Sequence, residues 1–427
     1  MGIETSCDET AAAVVADGRQ LLSNVVASSM DLHAIYGGVV PEIAARSHIE
    51  SITPVIEQAL AEADCSWDDI DGIAVTYGAG LGGSLLVGVL AARTLAIAKN
   101  KPLYACNHVI GHVYANFLTS VKKLSEHSED AARSDAREDR AEASEAMLHP
   151  GRGEPLLKEE SPSGEAHLPS GASLATLASS PPLPAALRAA PAPRTGAATL
   201  AAYSFPSRQP QFPLLAIIVS GGHSQLALFR DHFDYSLLGQ TQDDAIGEAF
   251  DKVAKILGLP YPGGPSVSKK ALEGDPFKYK LPKANVEGKY DYSFSGLKTA
   301  VLRLAQAETG HDYTFPSTKL PEALSDGQKA DIAASFQRIA VETIVDKAVL
   351  ACEEFQPASV VIAGGVAASP ELRRQLTDRL PFPIEFPDLK LCTDNGAMIA
   401  TLGCFMASTN QSQANPYSLD IQPNLSM

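Results

Sequence analysis

Short apolar runs alternate with longer segments of helical periodicity along most of this 427-residue chain. Three β-branched runs, each soon followed by glycine, predict buried strands at residues 72–76, 214–219 and 359–363. Apolar residues at helical spacing predict helices at 48–63, 84–98, 246–257 and 329–354. Strands that alternate with helices over this length predict an α/β protein with two similar lobes around a cleft.

Residues 121–211 differ in composition from the rest of the chain. A mixed-charge run is followed there by a segment rich in proline, alanine and serine. Such a composition buries too little apolar surface to offset chain entropy, so we predict a largely disordered insertion. The predicted organisation is an amino-terminal lobe at 1–120, the insertion, and a carboxyl-terminal lobe at 212–394. The last segment, 395–427, is predicted to pack back on the first lobe.

The formal net charge of −16 argues against nonspecific nucleic-acid binding, which depends on lysine and arginine replacing the counterions of the phosphates. The segment 269–303 is a local exception, because it interleaves eight basic residues with five aromatic residues. Side chains of these two kinds can together hold a phosphate backbone and stack unpaired bases. A solvated loop beside a strand is an equally good interpretation of this composition.

Three sequence features bear on where the protein resides. No stretch reaches the ~20 uncharged apolar residues that would cross a bilayer. The first residues carry Glu4, Asp8 and Glu9 and do not resemble a signal peptide. The six cysteines are scattered without a C-x-x-C pair, which indicates reduced thiols. We therefore expect a soluble, cytoplasmic protein.

Residues 2–10, Gly-Ile-Glu-Thr-Ser-Cys-Asp-Glu-Thr, place hydroxyl and carboxylate groups on a turn between two strand-like pieces. Such a turn is typical of a hairpin that handles a phosphate or a metal, because the strands fix the backbone while the polar side chains stay within reach of a ligand. Asp8 and Glu9 are the candidate carboxylates. Taken alone, the segment is better explained as a surface hairpin with solvated acids.

His108 and His112 lie at positions i and i+4 of a probable helix, so both imidazoles would share one face and could share a metal ion. Unrelated helix histidines can fall at this spacing by chance. The zinc-protease form of the motif requires glutamate directly after the first histidine, whereas Val109 stands there. Protease chemistry is therefore not supported.

Paired glycines follow two of the predicted strands, at 221–222 and 364–365. Without side chains, their backbone amides can approach a phosphate or nucleotide closely, although each pair alone is a common turn. Four acidic residues surround the start of the predicted helix at 246–257, where the helix dipole favours negative charge; they are Asp243, Asp244, Glu248 and Asp251.

Taken in order, these segments resemble the tRNA threonylcarbamoyladenosine transferases, a family with the actin-like, sugar-kinase-like ATPase fold. The resemblance covers nearly the whole chain except the insertion. The matching stretches are 2–10, 36–46, 107–112, 219–225, 243–252, 261–265, 292–299, 363–366 and 392–400.

The resemblance implies that a threonylcarbamoyl group passes from threonylcarbamoyl-AMP to N6 of adenosine 37 in tRNAs that read ANN codons, with release of AMP. It implies one divalent metal ion, Fe²⁺ or Zn²⁺, on His108, His112 and Asp394. Asp8 and Glu9 would face the reacting centre, where either could accept the amine proton. The donor nucleotide would be bound by Ile218, Val219, Ser220, Gly221, Gly222, Asp251, Gly264 and Ser369. The last of these replaces an asparagine that is common in the family.

The resemblance also implies three partners: tRNA, a homologous scaffold subunit and a small ATPase subunit. The main alternative is a small-molecule O-carbamoyltransferase of the same fold, against which the stretch at 269–303 favours RNA. A metalloprotease lacks its glutamate here. An inactive scaffold paralogue would lack the pair His108 and His112, which this chain retains.

Overall fold

The computed structural model describes residues 1–119, 203–382 and 384–427. The first sheet has the strand order β3-β2-β1-β4-β5. Strands β1 and β2 are antiparallel, as are β2 and β3, whereas β1 is parallel to β4 and β4 to β5. The strands are β1 (Gly2–Glu4), β2 (Glu9–Ala16), β3 (Gln20–Ser28), β4 (Ile73–Gly78) and β5 (Leu103–Asn107).

The second sheet has the order β8-β7-β6-β9 and repeats the same arrangement with one strand fewer. Strand β6, the first of this sheet in the chain, pairs antiparallel with β7 and parallel with β9. The strands are β6 (Leu214–Val219), β7 (Ser224–Asp231), β8 (Asp234–Gln240) and β9 (Ser359–Ala363). The predicted α/β class is confirmed. The repeated topology agrees with the two-lobed actin-like fold that the resemblance implies.

Helices α1 (Met30–Ala34), α2 (Pro41–Glu62), α3 (Gly82–Lys99) and α4 (His108–Tyr114) accompany the first sheet. Helix α2 begins with proline, whose missing amide hydrogen costs nothing in the first turn of a helix. It therefore starts seven residues before the helix predicted at 48–63. Helices α2 and α3 pack against each other, α2 on β2 and β3 and α3 on β4.

Within the described residues, α3 is a helix whose length and composition would allow it to cross a membrane, whereas the sequence analysis expected no such segment. Core helices of globular proteins pass the same test. Arg93 of α3 donates hydrogen bonds to the backbone oxygens of Pro416, Tyr417 and Leu419. The helix is thereby fastened to the carboxyl-terminal segment of the chain.

The second sheet is accompanied by α5 (Ile246–Leu257), α6 (Gly263–Ala271), α7 (Ser295–Glu308), α8 (Leu320–Ala323), α9 (Asp326–Phe355) and α10 (Pro370–Arg379). The long helix α9 begins at a capping box, in which Ser325 accepts a hydrogen bond from the Gln328 amide and Gln328 accepts one in return. Its apolar face, which includes Ile332, Phe336 and Val345, lies in the core of the second lobe.

Helix α11 (Gly396–Ser408) returns to the first lobe, where it contacts β1, β2 and β4. Its buried residues Met398, Ile399 and Leu402 belong to one core cluster with Val109 of α4 and Ile218 of β6. This shared core joins the two lobes. It also fixes α4 and the residues just before α11 relative to each other.

Most of the predicted insertion lies outside the described residues, but its last part, 203–211, packs on the folded body. Tyr203 and Phe205 stack on each other and contact an apolar cluster that includes Leu21 and Leu391. The Ser204 amide donates to Asp388 at 2.7 Å. The sequence boundary at 211 is therefore too late, since polar composition did not reveal these two aromatic anchors.

Candidate functional site

The histidine pair lies at the start of α4. Asn107, the last residue of β5, caps this helix because its Oδ1 accepts hydrogen bonds from the amides of Val109 at 2.8 Å and Ile110 at 3.3 Å. The cap places His108 at the first helical position and His112 one turn later. Their ring centroids are 4.7 Å apart.

Asp394 reaches the same point from the turn before α11, a helix that Asn395 caps through the Met398 amide. One carboxylate oxygen of Asp394, Oδ1, lies 3.2 Å from His112 Nε2 and 3.5 Å from His108 Nε2. One ligand atom from each of the three residues lies within 4.8 Å of the others. The structure thus brings together the three residues that the resemblance implied as metal ligands.

The donor set fits a divalent metal ion. Both ring nitrogens of His112 are buried and form no well-aligned hydrogen bond within the described residues, although Nε2 lies 3.2 Å from Asp394 Oδ1; a cation between these two atoms would bind both. Burial by itself would raise the pKa of Asp394, but the imidazoles of His108 and His112 hold it well below its usual range. Two imidazoles and one ionised carboxylate are ligands suited to Zn²⁺ or Fe²⁺.

Glu4 supports this site and was not identified from the sequence as a site residue. Its side chain is fully buried, and Oε2 lies 3.2 Å from His108 Nδ1. Thr76 donates a hydrogen bond to the same oxygen, and the Ser6 amide donates to Oε1 at 2.6 Å. Burial opposes the charge of His108, yet Asp394 and Glu4 raise the pKa of His108 to about 9. A glutamate within an apolar strand was the available signal for such a role.

Asp8 and Glu9 lie where the turn after β1 enters β2, at the wall of a cleft of about 620 Å³ that also contains His108 and Asp394. The backbone oxygen of Asp8 accepts hydrogen bonds from the amide and the hydroxyl of Ser29, at 3.0 and 2.8 Å. Burial and the charges of Asp394 and Asp8 raise the pKa of Glu9 to about 10. Glu9 is therefore protonated near neutral pH.

The second lobe contributes the loop Ser220–Gly222 and Asp251 to the same cleft. A Cβ atom added to Gly221 or Gly222 would meet nothing within 4 Å, so this backbone is open to a ligand. Neither glycine donates its amide to a hydrogen bond within the described residues. Gly247 of α5 approaches so closely that its Cβ would lie 2.6 Å from the Ser220 oxygen, which fixes the loop against the helix.

Four residues of the implied nucleotide set do not line this cleft. Ile218 and Val219 are fully buried in β6, where their side chains belong to the core. Gly264 lies in the first turn of α6. Ser369 caps α10, since its hydroxyl accepts a hydrogen bond from the Leu372 amide.

Three of the four acidic residues near α5 have separate roles. Asp243 accepts hydrogen bonds from the Ser293 hydroxyl and the Phe294 amide, and so holds the start of α7. Asp244 is paired with Lys252 and Lys298. The Oδ1 atom of Asp251 accepts a hydrogen bond from the Gly263 amide at 2.7 Å.

The structure reduces the number of residues in the stretch at 269–303 that could contact RNA. Three of its five aromatic residues, Tyr290, Tyr292 and Phe294, are buried in the core, where they cannot stack on a base. Half of its eight basic residues are paired with acids; these are Lys270, Lys283, Lys289 and Lys298. Composition could not separate these residues from the exposed ones.

His223 and a loop before α2 also line the cleft, although the sequence analysis gave neither a role. Burial and the nearby His108 and His112 lower the pKa of His223 to about 4, so its imidazole is neutral. The loop contributes Gly37, Gly38 and Val39. The loop belongs to the stretch 36–46, which resembles the family, but the resemblance assigned no chemical role to its residues.

The chain is similar to known proteins along most of its length. The model of the TsaD family, tRNA N6-adenosine threonylcarbamoyltransferase, matches residues 20–127 and 194–401. A tRNA N6-adenosine threonylcarbamoyltransferase of Thermomicrobium roseum is 41% identical over 414 residues, covering 95% of this chain and 91% of the relative. One from Caldicellulosiruptor saccharolyticus is 39% identical over 430 residues, covering 100% and 98%. Among solved structures, (R)-2-hydroxyglutaryl-CoA dehydratase component A of Acidaminococcus fermentans is 14% identical, covering 96% of this chain and 98% of that chain, with a TM-score of 0.40.

Proposed function

Because the chain belongs to the tRNA N6-adenosine threonylcarbamoyltransferase family, a family of tRNA-modifying transferases, we propose that its cleft takes threonylcarbamoyl-AMP as donor. The acceptor in this proposal is N6 of adenosine 37 in tRNAs that read ANN codons, and AMP is the leaving group. The observation that carries the proposal is one cleft in which Asp8 and Asp394 face the open glycine loop at 220–222.

We propose that His108, His112 and Asp394 hold one divalent ion, Zn²⁺ or Fe²⁺. When bound, such an ion would offset negative charge on the donor phosphate and on the departing AMP. Glu4 orients His108 from the side opposite its Nε2, as carboxylates commonly do for metal-bound histidines.

The residues of the second lobe suit the AMP part of the donor. The free amides of Gly221 and Gly222 would donate hydrogen bonds to phosphate oxygens. Lys255 lines the same cleft, is exposed and has no ion pair within the described residues, so it would add a positive charge. The Gly263 amide fixes Oδ1 of Asp251, and we propose that the other oxygen of this carboxylate receives a ribose hydroxyl.

We propose that Asp8 accepts the proton that the exocyclic amine loses. The sequence left Asp8 and Glu9 as equal candidates. With its pKa raised to about 10, Glu9 carries its own proton near neutral pH and is suited to donate a hydrogen bond rather than to accept a proton. Asp8, whose backbone is fixed by Ser29, is then the available carboxylate.

The three partners remain proposals, as does the cytoplasmic location. One surface supports the homologous scaffold subunit. Leu86, Leu90 and Ile97 of α3 are 44%, 47% and 44% exposed and follow one another at helical spacing. Ile49 of α2, the helix that packs on α3, is 65% exposed. An apolar stripe on two packed helices is suited to the corresponding helices of a protein with the same fold.

The test is nucleoside analysis of tRNA after incubation with the protein, its partners, a divalent metal and threonylcarbamoyl-AMP. We expect threonylcarbamoyladenosine at position 37, and none with a tRNA that carries guanosine at that position. If a small hydroxylated acceptor is carbamoylated instead and tRNA is untouched, the site is that of a small-molecule carbamoyltransferase.

A further inference from the structure

An exposed tyrosine, Tyr36, directly precedes three residues that line the cleft. Residues 35–40, here called the rim loop, connect α1 to α2. Gly37, Gly38 and Val39 of this loop line the cleft together with Asp8 and His108. The two residues just before them, Ile35 and Tyr36, are 81% and 59% exposed. An exposed aromatic residue is thus the chain neighbour of residues that line the cleft.

The rim loop is connected to Asp8 by a chain of hydrogen bonds. Its last amide, on Val40, donates to Nδ1 of His33 at 3.2 Å. The other ring nitrogen of His33 donates to the Ser29 hydroxyl at 3.1 Å, and that hydroxyl donates to the Asp8 backbone oxygen at 2.8 Å. His33 is fully buried. The position of the loop is therefore set relative to the carboxylate proposed as proton acceptor.

The two glycines that follow Tyr36 leave open space along the backbone of the rim loop. Gly37 has a φ of +71°, a conformation that favours glycine, and a Cβ atom at Gly37 or Gly38 would meet nothing within 4 Å. The backbone of Tyr36 itself is fixed, because the amides of Tyr36 and Gly37 donate to the oxygens of His33 and Ala34. The exposed side chain of Tyr36 is therefore carried by hydrogen-bonded backbone that precedes an open, glycine-rich segment.

We propose that Tyr36 stacks on an unpaired base of the tRNA, the acceptor adenine itself. The proposal rests on the proposed function. Transfer to N6 requires the adenine to leave its neighbours in the RNA, and a protein aromatic ring can replace the stacking that is lost. Stacking also provides affinity without positive charge, which matters in a chain of net charge −16.

The test compares Tyr36→Ala with Tyr36→Phe in the complete system, with the tRNA concentration varied at saturating donor. Loss of one stacked base is worth about 1–3 kcal/mol, so we expect the KM for tRNA to rise about 5- to 150-fold in Tyr36→Ala. Tyr36→Phe should stay within about twofold of the parent, because it keeps the ring. Donor affinity and metal content should be unchanged in both variants.

A direct probe is an anticodon stem-loop with 2-aminopurine at the acceptor position. Its fluorescence should be quenched by the parent protein and by Tyr36→Phe, but not by Tyr36→Ala at protein concentrations where the stem-loop is fully bound. Tyr313→Ala is the matched control, since Tyr313 is 73% exposed and does not line the cleft. It should behave like the parent in both assays.

Several outcomes would overturn the proposal. An unchanged KM for tRNA in Tyr36→Ala, or an equal defect in Tyr36→Phe, would exclude stacking by the ring. Loss of donor or metal binding in Tyr36→Ala would mean that the residue shapes the site. Weaker binding of a partner subunit with normal quenching would assign the ring to a protein contact. Failure of the parent to modify tRNA at all would instead contradict the proposed function.

Discussion

The buried carboxylate of Glu4 lies 3.2 Å from Nδ1 of His108, whose other ring nitrogen lies 3.5 Å from Asp394. Hydrogen bonds from Thr76 and from the Ser6 amide occupy both oxygens of Glu4, so the carboxylate, itself at the end of β1, is held by strand β4 and by the turn after β1. The rigid sheet thereby sets the angle at which His108 faces Asp394. A metal site that spans two distant parts of the chain depends on this orientation.

The first prediction is that Glu4→Gln weakens metal binding about 10- to 100-fold, the usual effect of removing a carboxylate behind a histidine ligand. The glutamine side chain has nearly the same size, but its NH₂ group would face one of the groups that donate a hydrogen bond to Glu4. Competition with a chelator measures the affinity. Glu50→Gln, on the exposed face of α2, is the matched control and should bind metal like the parent. Equal affinities in the two variants would contradict the positioning role.

The second prediction concerns the ligands. His108→Ala or Asp394→Ala should each lower bound metal to near background while circular dichroism stays that of the parent, because each removes one of three protein donors. Elemental analysis after gel filtration measures the metal. His311→Ala, at an exposed histidine outside the cleft, should retain it. Full metal content in both ligand variants would exclude this site.

The sequence predicted some parts of the fold to the residue. Strands 214–219 and 359–363 and helix 246–257 have the predicted bounds, because long apolar runs and a regular helical face are local signals. The early start of α2 at Pro41 was missed, although proline at the first helical position is itself a signal for a helix start.

The site could be predicted less completely than the fold from local sequence patterns. The spacing of His108 and His112 suggested a shared metal, but Asp394 lies far along the chain and came only from the resemblance. Glu4 acts through a contact with His108, far along the chain, which no local pattern records. The burial of Tyr292 and Phe294 is likewise a tertiary property, and composition alone made them resemble surface aromatic residues.

The third prediction separates the two carboxylates of the turn. Asp8→Asn removes the proposed proton acceptor and should lower kcat about 10²- to 10⁴-fold. Glu9→Gln resembles the protonated acid that the raised pKa of Glu9 implies, so its kcat should stay within about tenfold of the parent. Single-turnover rates at saturating tRNA measure both. A larger loss in Glu9→Gln than in Asp8→Asn would assign the proton transfer to Glu9.

The fourth prediction concerns pH and His48 of α2. This imidazole is fully buried, with Nδ1 2.8 Å from the Thr10 hydroxyl and Nε2 3.0 Å from the Cys7 oxygen. Burial lowers the pKa of His48 below its usual 6.5, so the unfolded chain binds a proton here more readily than the folded one.

His48 should therefore leave the free energy of unfolding unchanged above about pH 6.5 and lower it as the pH falls through that value, by at most about 1.4 kcal/mol per pH unit. Urea denaturation at pH 7.5, 6.5 and 5.5 measures this effect. His48→Gln should show a shallower decrease than the parent, whereas His311→Gln, at an exposed histidine, should match the parent. Parallel curves for His48→Gln and the parent would contradict the role of His48.

The last prediction tests RNA binding by the stretch at 269–303. Lys278 and Lys280 are exposed and have no ion pair within the described residues, whereas Lys283 is bound to Asp346 at 2.6 Å and Glu342 at 3.4 Å. Lys278→Glu and Lys280→Glu should weaken tRNA binding, and each should reduce the slope of log affinity against log salt by about 1, with an unchanged melting temperature. Lys283→Glu should instead lower the melting temperature, because it places a third carboxylate beside two others. Titrations of tRNA at several salt concentrations measure the slope. If Lys278→Glu and Lys280→Glu bind tRNA as the parent does, the RNA backbone contacts another surface, and this stretch is the solvated loop that its composition also allowed.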